Sequence, residues 1–437
     1  MTTNALHARH TAVMPSWLTT YYERPLALVQ AAGRHVTDQD GNRYLDFFGG
    51  ILTTSAGYDV AEIRERVQRQ LATGVVHTST LYLIESQVAL AERIADLAGI
   101  EDPAVFFTNS GTEANETALL AATCHRGSGH VVALTDSYHG RSFGAIGISG
   151  LEGWRPSPLS PVRLTWAGNG RRGEPAALVA DLRSRLAADD EPVAALIAEP
   201  VQGLAGFFAP PPGLLRGYQE VVADQGGLLI SDEVQTGWGR LGSHLWGYEY
   251  QGLRPDLITF AKGLANGFPI GGVIGRRAVI DSLAGKSIST FGGNPLSTTA
   301  ALATLDHLLD TDARGNAERI GRQLLDGLRR IAARHRCVGD VRGYGLLLAV
   351  EIAAGADDGA PAAGAAAARR ILERCRELGL LVGVGGRHGN VLRIAPAMTV
   401  TGAEAAEALA ILDRALADES RPSAPADRPL GVGAAMA

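Results

Sequence analysis

Hydrophobic and polar positions follow two rhythms along this chain. Between about residues 60 and 300, short apolar runs rich in aliphatic and β-branched residues recur at 105–108, 131–135, 194–198, 228–231, 257–260 and 272–274. Stretches with amphipathic helical spacing, such as 113–123, lie between them. Continuous apolar runs mark strands covered on both faces, so the alternation predicts a mostly parallel sheet flanked by helices. From about 310 the order changes. A helical pattern at 316–335 precedes apolar runs at 346–352 and 391–394, which predicts a smaller α+β domain. Residues 1–20 read as an arm, and 421–437, rich in Pro, Ala and Gly, as a disordered tail. A stretch of Ala, Gly and Asp at 353–368 reads as an exposed loop running into a helix. The expected division is 1–58 for the arm and part of the small domain, 59–308 for a large domain, 309–420 for the small domain, then the tail. Gly383-Val384-Gly385-Gly386 does not join a strand to a helix, so it reads as a flexible loop rather than a nucleotide-binding turn.

Composition narrows the class. With 437 residues, 46% hydrophobic and 20% charged, the chain can bury a sizeable core, which excludes wholesale disorder. A net charge of −6 gives no basic face for nucleic acid. Cys124, Cys337 and Cys375 show no CxxC pairing and form no disulfide framework, which suits a reducing cytoplasm. No apolar run approaches the ~20 residues of a membrane span. The first ten residues lack the apolar segment of a secretion signal. A soluble cytoplasmic enzyme is expected.

The residues that follow the strands carry the chemistry. Ligands of open α/β sheets bind outside the carboxyl ends of the strands. Five predicted strands deliver polar or reactive groups to that one rim. The first runs into Ser110-Gly111-Thr112 at the start of a helical pattern, where free N–H groups and hydroxyls suit a phosphate; an ordinary helix cap is the plainer alternative. The second runs into Tyr138-His139-Gly140, the third into Glu199, the fourth into Asp232-Glu233-Val234-Gln235 and the fifth into Lys262. Asp232 ends an apolar strand and needs a cationic partner, either a protonated pyridine nitrogen or one of the many arginines. Tyr138 suits stacking on a ring or plain packing. His139 has no companions at metal-ligand spacing. Among 40 Lys and Arg residues only Lys262 and Lys286 are lysine, and only a lysine amine can lose its proton and condense with an aldehyde. Lys286, in the loop-like Gly285-Lys286-Ser287, reads as a surface residue. Phosphate seat, aromatic, carboxylate and lysine together match what pyridoxal 5′-phosphate requires.

The segments Ser231-Asp232-Glu233-Val234-Gln235-Thr236-Gly237-Trp238-Gly239-Arg240 and Pro255-Asp256-Leu257-Ile258-Thr259-Phe260-Ala261-Lys262-Gly263 resemble the class III (ω-type) aminotransferases of PLP fold type I. The resemblance covers roughly residues 20–415. Within the class, Leu45-Asp46-Phe47-Phe48-Gly49-Gly50-Ile51, His77-Thr78-Ser79-Thr80, Arg240-Leu241-Gly242-Ser243-His244 and Thr290-Phe291-Gly292-Gly293-Asn294-Pro295 look most like the second-type alanine–glyoxylate aminotransferases. The chain departs from that subgroup at Gly57-Tyr58-Asp59-Val60 and at Ala395-Pro396-Ala397-Met398, both in parts that border substrate in this class.

The resemblance implies a large domain with a seven-stranded-type, mostly parallel sheet and a smaller α+β domain. It implies that Lys262 carries the cofactor as an imine and that Asp232 pairs with the pyridine nitrogen. Val234 then packs under the ring, Gln235 bonds the phenolic oxygen and Tyr138 stacks above. Ser110, Gly111 and Thr112 hold the phosphate, with Thr290 reaching the phosphate of a neighbouring subunit, so a homodimer is the smallest active unit. Glu199 and Arg393 resemble a gate pair that admits both an amine and an α-keto acid. Thr290 as a local turn hydroxyl and Arg393 as a structural partner of a carboxylate are the plainer alternatives. The implied reaction is ping-pong transfer of an amino group from an amine or amino acid to a small α-keto acid such as pyruvate or glyoxylate. Decarboxylation-coupled transamination, an amino shift and racemisation start from the same imine and are the alternative. A PLP-binding module without turnover is a third reading, opposed by the intact Lys262. No metal site, nucleic acid or membrane partner is expected.

Overall fold

The computed structural model describes residues 2–18, 20–155, 160, 162–283, 285, 287–353 and 361–419. The expected tail at 421–437, the loop at 354–360 and Lys286 lie outside the described residues. Fifteen strands form three sheets among the described residues. Near the N-terminus, β1 (Leu28–Ala32), β2 (His35–Asp38) and β3 (Arg43–Asp46) make an antiparallel meander. The large sheet contains β4 (Pro103–Thr108), β5 (His130–Leu134), β6 (Arg163–Ala167), β7 (Val193–Ala198), β8 (Leu228–Asp232), β9 (Leu257–Ala261) and β10 (Gly271–Arg276). Their order is β4-β10-β9-β8-β7-β5-β6, and β10 alone runs against the others. The third sheet joins β11 (Val338–Tyr344), β12 (Leu347–Ile352), β15 (Val391–Ile394) and β14 (Gly383–Gly385), while β13 (Leu380–Leu381) completes the first sheet beside β3.

The large sheet is apolar on both faces because helices cover both. Along β5 and β7, Val132, Leu134, Leu196 and Ala198 enter one core, and Val131, Ala133, Ala195 and Ile197 the opposite one. That is the period-two alternation of a pleated strand with both sides buried. The helix Gly111–Arg126 packs on this sheet, starts at Ser110, whose Oγ accepts from Glu113 N at 3.2 Å, and ends at Gly127 with φ 62°. The helix expected at 316–335 spans Ala313–Ala332, because the Asp312 carboxylate caps Gly315 N at 3.1 Å and starts it three residues early. It buries Ile320, Leu324, Leu328 and Ile331 in a core that also holds Leu45 and Phe47 from the N-terminal meander. Each such side chain contributes about 1.5–3 kcal/mol of burial.

Two expectations change. Residues 3–13 of the arm form a helix, Thr3–Val13, with no buried residue. The glycine run expected as a flexible loop contains β14, paired antiparallel with β15. Its glycines serve close approach. A Cβ on Gly383 would lie 2.3 Å from the Phe48 ring, and one on Gly385 2.8 Å from Arg393 Nε.

Candidate active site

The rim at the carboxyl ends of β4, β5, β7, β8 and β9 encloses a cavity of about 320 Å³. Ser110, Gly111, Thr112, Tyr138, Glu199, Asp232, Val234, Gln235 and Lys262 all line it. Nearly every site residue expected from the sequence therefore meets in one place. Thr290 does not; it is exposed, in the segment before the helix Pro295–Asp310. Arg393 lies on β15, next to the cavity but outside its lining.

Asp232 is 4% exposed, yet no arginine pairs with it among the described residues. Its Oδ2 accepts from Asn115 Nδ2 and from His139 Nδ1, each at 2.8 Å, and Oδ1 accepts from Val234 N at 3.1 Å. A carboxylate only accepts, so Nδ1 carries the proton and Nε2 is left as the imidazole's second polar atom. That Nε2 is buried with no partner among the described residues. Asn115 is itself fixed, donating to His139 O at 2.8 Å and accepting from Thr259 Oγ1 at 2.6 Å. The sequence reading missed both residues. Asn115 stands one helical turn after Gly111, and a polar side chain on the sheet-facing side of a buried helix was the available signal.

Lys262 follows β9 directly, in a 3₁₀ turn, with φ 44°. A left-handed non-glycine residue costs on the order of 1–3 kcal/mol, a strain that collects at functional sites. Burial lowers the amine pKa to about 8; Asp232 and Glu199 oppose that shift and Arg393 reinforces it. Glu199 is 4% exposed, with Oε1 accepting from Tyr138 N at 2.9 Å and Oε2 from Gly203 N at 2.8 Å. Burial raises its pKa, His139 opposes the rise, and Asp232 adds to it.

The expected Glu199–Arg393 gate is not closed as an ion pair among the described residues. Arg393 instead lies over Phe48 at 4.9 Å and Phe207 at 5.5 Å, and donates from Nη1 to Gly203 O at 3.4 Å. Its Nε is buried without a partner among the described residues, and burial lowers its pKa. Tyr138 makes an edge-on contact with Trp154 at 5.7 Å. Ser110 acts as the helix cap, as its plainer reading held, while its hydroxyl still lines the cavity.

Two close packings shape the seat. A Cβ on Gly111 would come within 2.9 Å of a Val234 methyl, and one on Gly140, where φ is 135°, within 2.6 Å of Thr112 Oγ1. Gln235 lies against Gly203 and leaves its Oε1 buried without a partner among the described residues.

The class-III aminotransferase family model matches residues 19–416. The chain belongs to the class III aminotransferases. It resembles the mitochondrial alanine–glyoxylate aminotransferase 2 homolog 2 of Arabidopsis thaliana, with 35% identity over 87% of this chain and 80% of that relative. It is 36% identical to an acetylornithine aminotransferase of Mycobacterium bovis, over 95% of this chain and 98% of that one. Among solved structures, a phospholyase from Arthrobacter in complex with phosphoethanolamine superposes with a TM-score of 0.86 at 32% identity, over 95% of this chain and 100% of that chain.

This class III aminotransferase is thus a fold type I enzyme that uses pyridoxal 5′-phosphate to move an amino group from an amine or amino acid to a keto acid. The family and its named aminotransferase relatives favour transfer over the decarboxylating, amino-shifting and racemising alternatives. The cavity fits the cofactor on its own terms. It offers a buried carboxylate whose one ion pair among the described residues is with His139, polar atoms on His139 and Gln235 without a partner among the described residues, a helix N-terminus kept open by Gly111, and an amine of lowered basicity.

Proposed function

We propose that this enzyme accepts an α-amino acid such as alanine, or an ω-amino compound, as donor and glyoxylate or pyruvate as acceptor, with Lys262 and Asp232 as its catalytic pair. When bound, the cofactor supplies an aldehyde that condenses with amines and a protonated ring that draws electrons from the amine carbon. Asp232 keeps the proton on the pyridine nitrogen, held in place by His139 and Asn115. Lys262 Nζ would hold the cofactor and, once free, would carry a proton from the substrate's amine carbon to the cofactor in the amine half-reaction and in the opposite sense in the keto-acid half-reaction. The N-terminus of Gly111–Arg126, with Ser110 and Thr112, receives the phosphate. Val234 supports the ring from below, Tyr138 covers it, and Gln235 bonds the phenolic oxygen. Arg393 grips the acceptor carboxylate in a bidentate fork. Glu199, anchored by two backbone N–H groups, supplies the charge that offsets it.

The observation that carries this reading is the convergence of Lys262 on the Asp232–His139–Asn115 cluster in one cavity. Borohydride reduction of the yellow holoenzyme, followed by peptide mapping, should find the cofactor on Lys262. A label on Lys286, or normal turnover by Lys262→Ala, overturns it. A panel of donors with glyoxylate or pyruvate, read as glycine or alanine formed, tests the substrate class.

The same proposal includes a homodimer in which Thr290 reaches the neighbouring subunit's phosphate, and a cytoplasmic location, in keeping with a sequence whose few cysteines show no CxxC spacing. It divides the chain into a large domain at 59–308 and a small domain at 309–420, which residues 1–58 help to build. No helix among the described residues is long and apolar enough to cross a membrane.

A further inference from the structure

A second cavity, about 330 Å³, lies at the carboxyl ends of β5 and β6, between the edge of the large sheet and the turn that joins β14 to β15. That volume is within the range of small-molecule sites, about 300–1,000 Å³. It has no place in the aminotransferase chemistry described above. The segment 203–206 bonds to residues of both cavities, and Ala205 lines the second. Gly203 bonds Glu199 and Arg393 on the active-site side. On the other side Ala205 O accepts from Arg171 Nη2 at 2.9 Å and Gly206 O from Arg342 Nε at 2.9 Å.

The lining is cationic and partly pre-set. Arg171, Arg172, Arg387 and His388 face it, against the carboxylates Asp136 and Glu351. Glu351 is already bonded to Arg342 Nη1 at 2.8 Å, and Arg342 is shared with the exposed Asp340. Asp136 is buried and accepts from Asn169 Nδ2 at 3.1 Å, and its only contact with a lining arginine among the described residues is Arg387 Nη1 at 3.8 Å. Arg171 is held by its stack on Phe208, 4.0 Å from the ring, and by the single bond to Ala205 O, which leaves other donors of its fork without a protein acceptor among the described residues. Arg172 and His388 make no ion pair among the described residues. Three guanidinium groups face two carboxylates, one of which is already bonded to Arg342, and the positive charge left over suits a bound anion.

We infer that this cavity is a binding site for a small phosphate monoester. A planar carboxylate is saturated by one or two guanidinium forks. Arg171 and Arg172 approach from the loop after β6, and Arg387 and His388 from the turn after β14, so donors come from two separate elements. A phosphoryl group presents three acceptor oxygens in three directions and can use both sets. The remaining volume accommodates a small organic remainder.

The test is calorimetric titration of the phosphate-free, cofactor-loaded enzyme with inorganic phosphate and with glycerol phosphate, using succinate at matched ionic strength for comparison. Both phosphoryl probes should bind once per chain beyond the cofactor, and succinate at least tenfold more weakly. The Arg172→Ala/Arg387→Ala double variant removes exposed side chains and should weaken both phosphoryl probes at least tenfold, with the fold and basal turnover retained and any fall in the melt confined to loss of the Arg387–Asp136 contact. Arg171→Lys, which keeps the charge and loses the fork, should weaken them severalfold. Arg393→Lys should leave them unchanged. Absence of binding, equal binding by the double variant, succinate binding as tightly, or loss of binding in Arg393→Lys would each overturn the assignment; the last would move the anion to the active site.

Discussion

At the scale of single residues, desolvation and strain set Lys262 apart. An ammonium loses hydration on burial, so Nζ releases its proton near pH 8 rather than at 10.5, while Asp232 and Glu199 hold some of the charge in place. The unfolded chain binds that proton more readily, so the shift costs stability below about pH 8, and the cost fades as pH rises toward the unfolded value. Capture of pyridoxal phosphate by the cofactor-free enzyme, followed by absorbance, should rise with pH and reach half its maximum near 8. Asp232→Asn removes the largest opposing charge, so its midpoint should fall below that of the wild type. The same variant should slow the amine half-reaction by ~10² or more. A midpoint that stays put, with turnover within a few-fold, would make Asp232 a structural carboxylate. Arg393 separates the two halves of the reaction. Arg393→Lys keeps the charge but loses the fork, so single-turnover rates should fall more with the keto acid than with the amine. Equal losses would leave Arg393 as scaffold over Phe48 and Phe207.

At the scale of elements, the helix Gly111–Arg126 does two jobs. It packs on the large sheet, and its first turn is the phosphate seat. Gly111→Ala should raise or preserve the helix's own stability, since alanine exceeds glycine by about 1 kcal/mol in helices. The added methyl collides with Val234 within the fold itself, so about 1–3 kcal/mol of overpacking should match or outweigh that gain and lower the melt of the cofactor-free enzyme. Any shift of Val234 that relieves the clash disturbs the proposed ring seat, so cofactor affinity should fall as well; a thermal melt and a cofactor titration of the same variant check both. The strands that deliver the site were legible because double burial makes them continuous apolar runs; 391–394 agrees with β15 at both ends, and 257–260 falls one residue short of β9. The strand β6 was not legible, since its edge position leaves Arg163 exposed and Leu164, Thr165 and Trp166 only partly covered. Nor was β1, which is mostly exposed. Periodicity does not encode direction, so the reversal of β10 was invisible as well. The cluster around Asp232 shows the same limit at the site. Its members lie 117 and 93 positions away in the chain, and only the fold brings Asn115 and His139 onto one carboxylate oxygen.

At the scale of the whole molecule, the apolar surface bears on the subunit proposal. Leu81, Tyr82 and Leu83 are 75%, 69% and 97% exposed, and Phe291, beside Thr290, is 60% exposed while its ring stacks on His77 at 4.5 Å. A monomer in water gains nothing from leaving large side chains out in consecutive positions, and exposed apolar groups of this kind mark association surfaces. The stack brings 77–83 and 288–291 together around Thr290, the residue expected to serve a neighbouring site. The Leu83→Glu/Phe291→Glu double variant adds two charges at that surface and should shift sedimentation from dimer toward monomer. If Thr290 completes a neighbour's phosphate seat, the same variant should also lose cofactor affinity by about tenfold or more, although it alters no residue lining the cavity. Adding Thr290→Ala to the wild type then isolates the hydroxyl, with cofactor affinity falling while the dimer persists. A dimer that persists in the double variant would refute the surface, and a monomer that holds its cofactor as tightly as wild type would show each site to be complete within one chain.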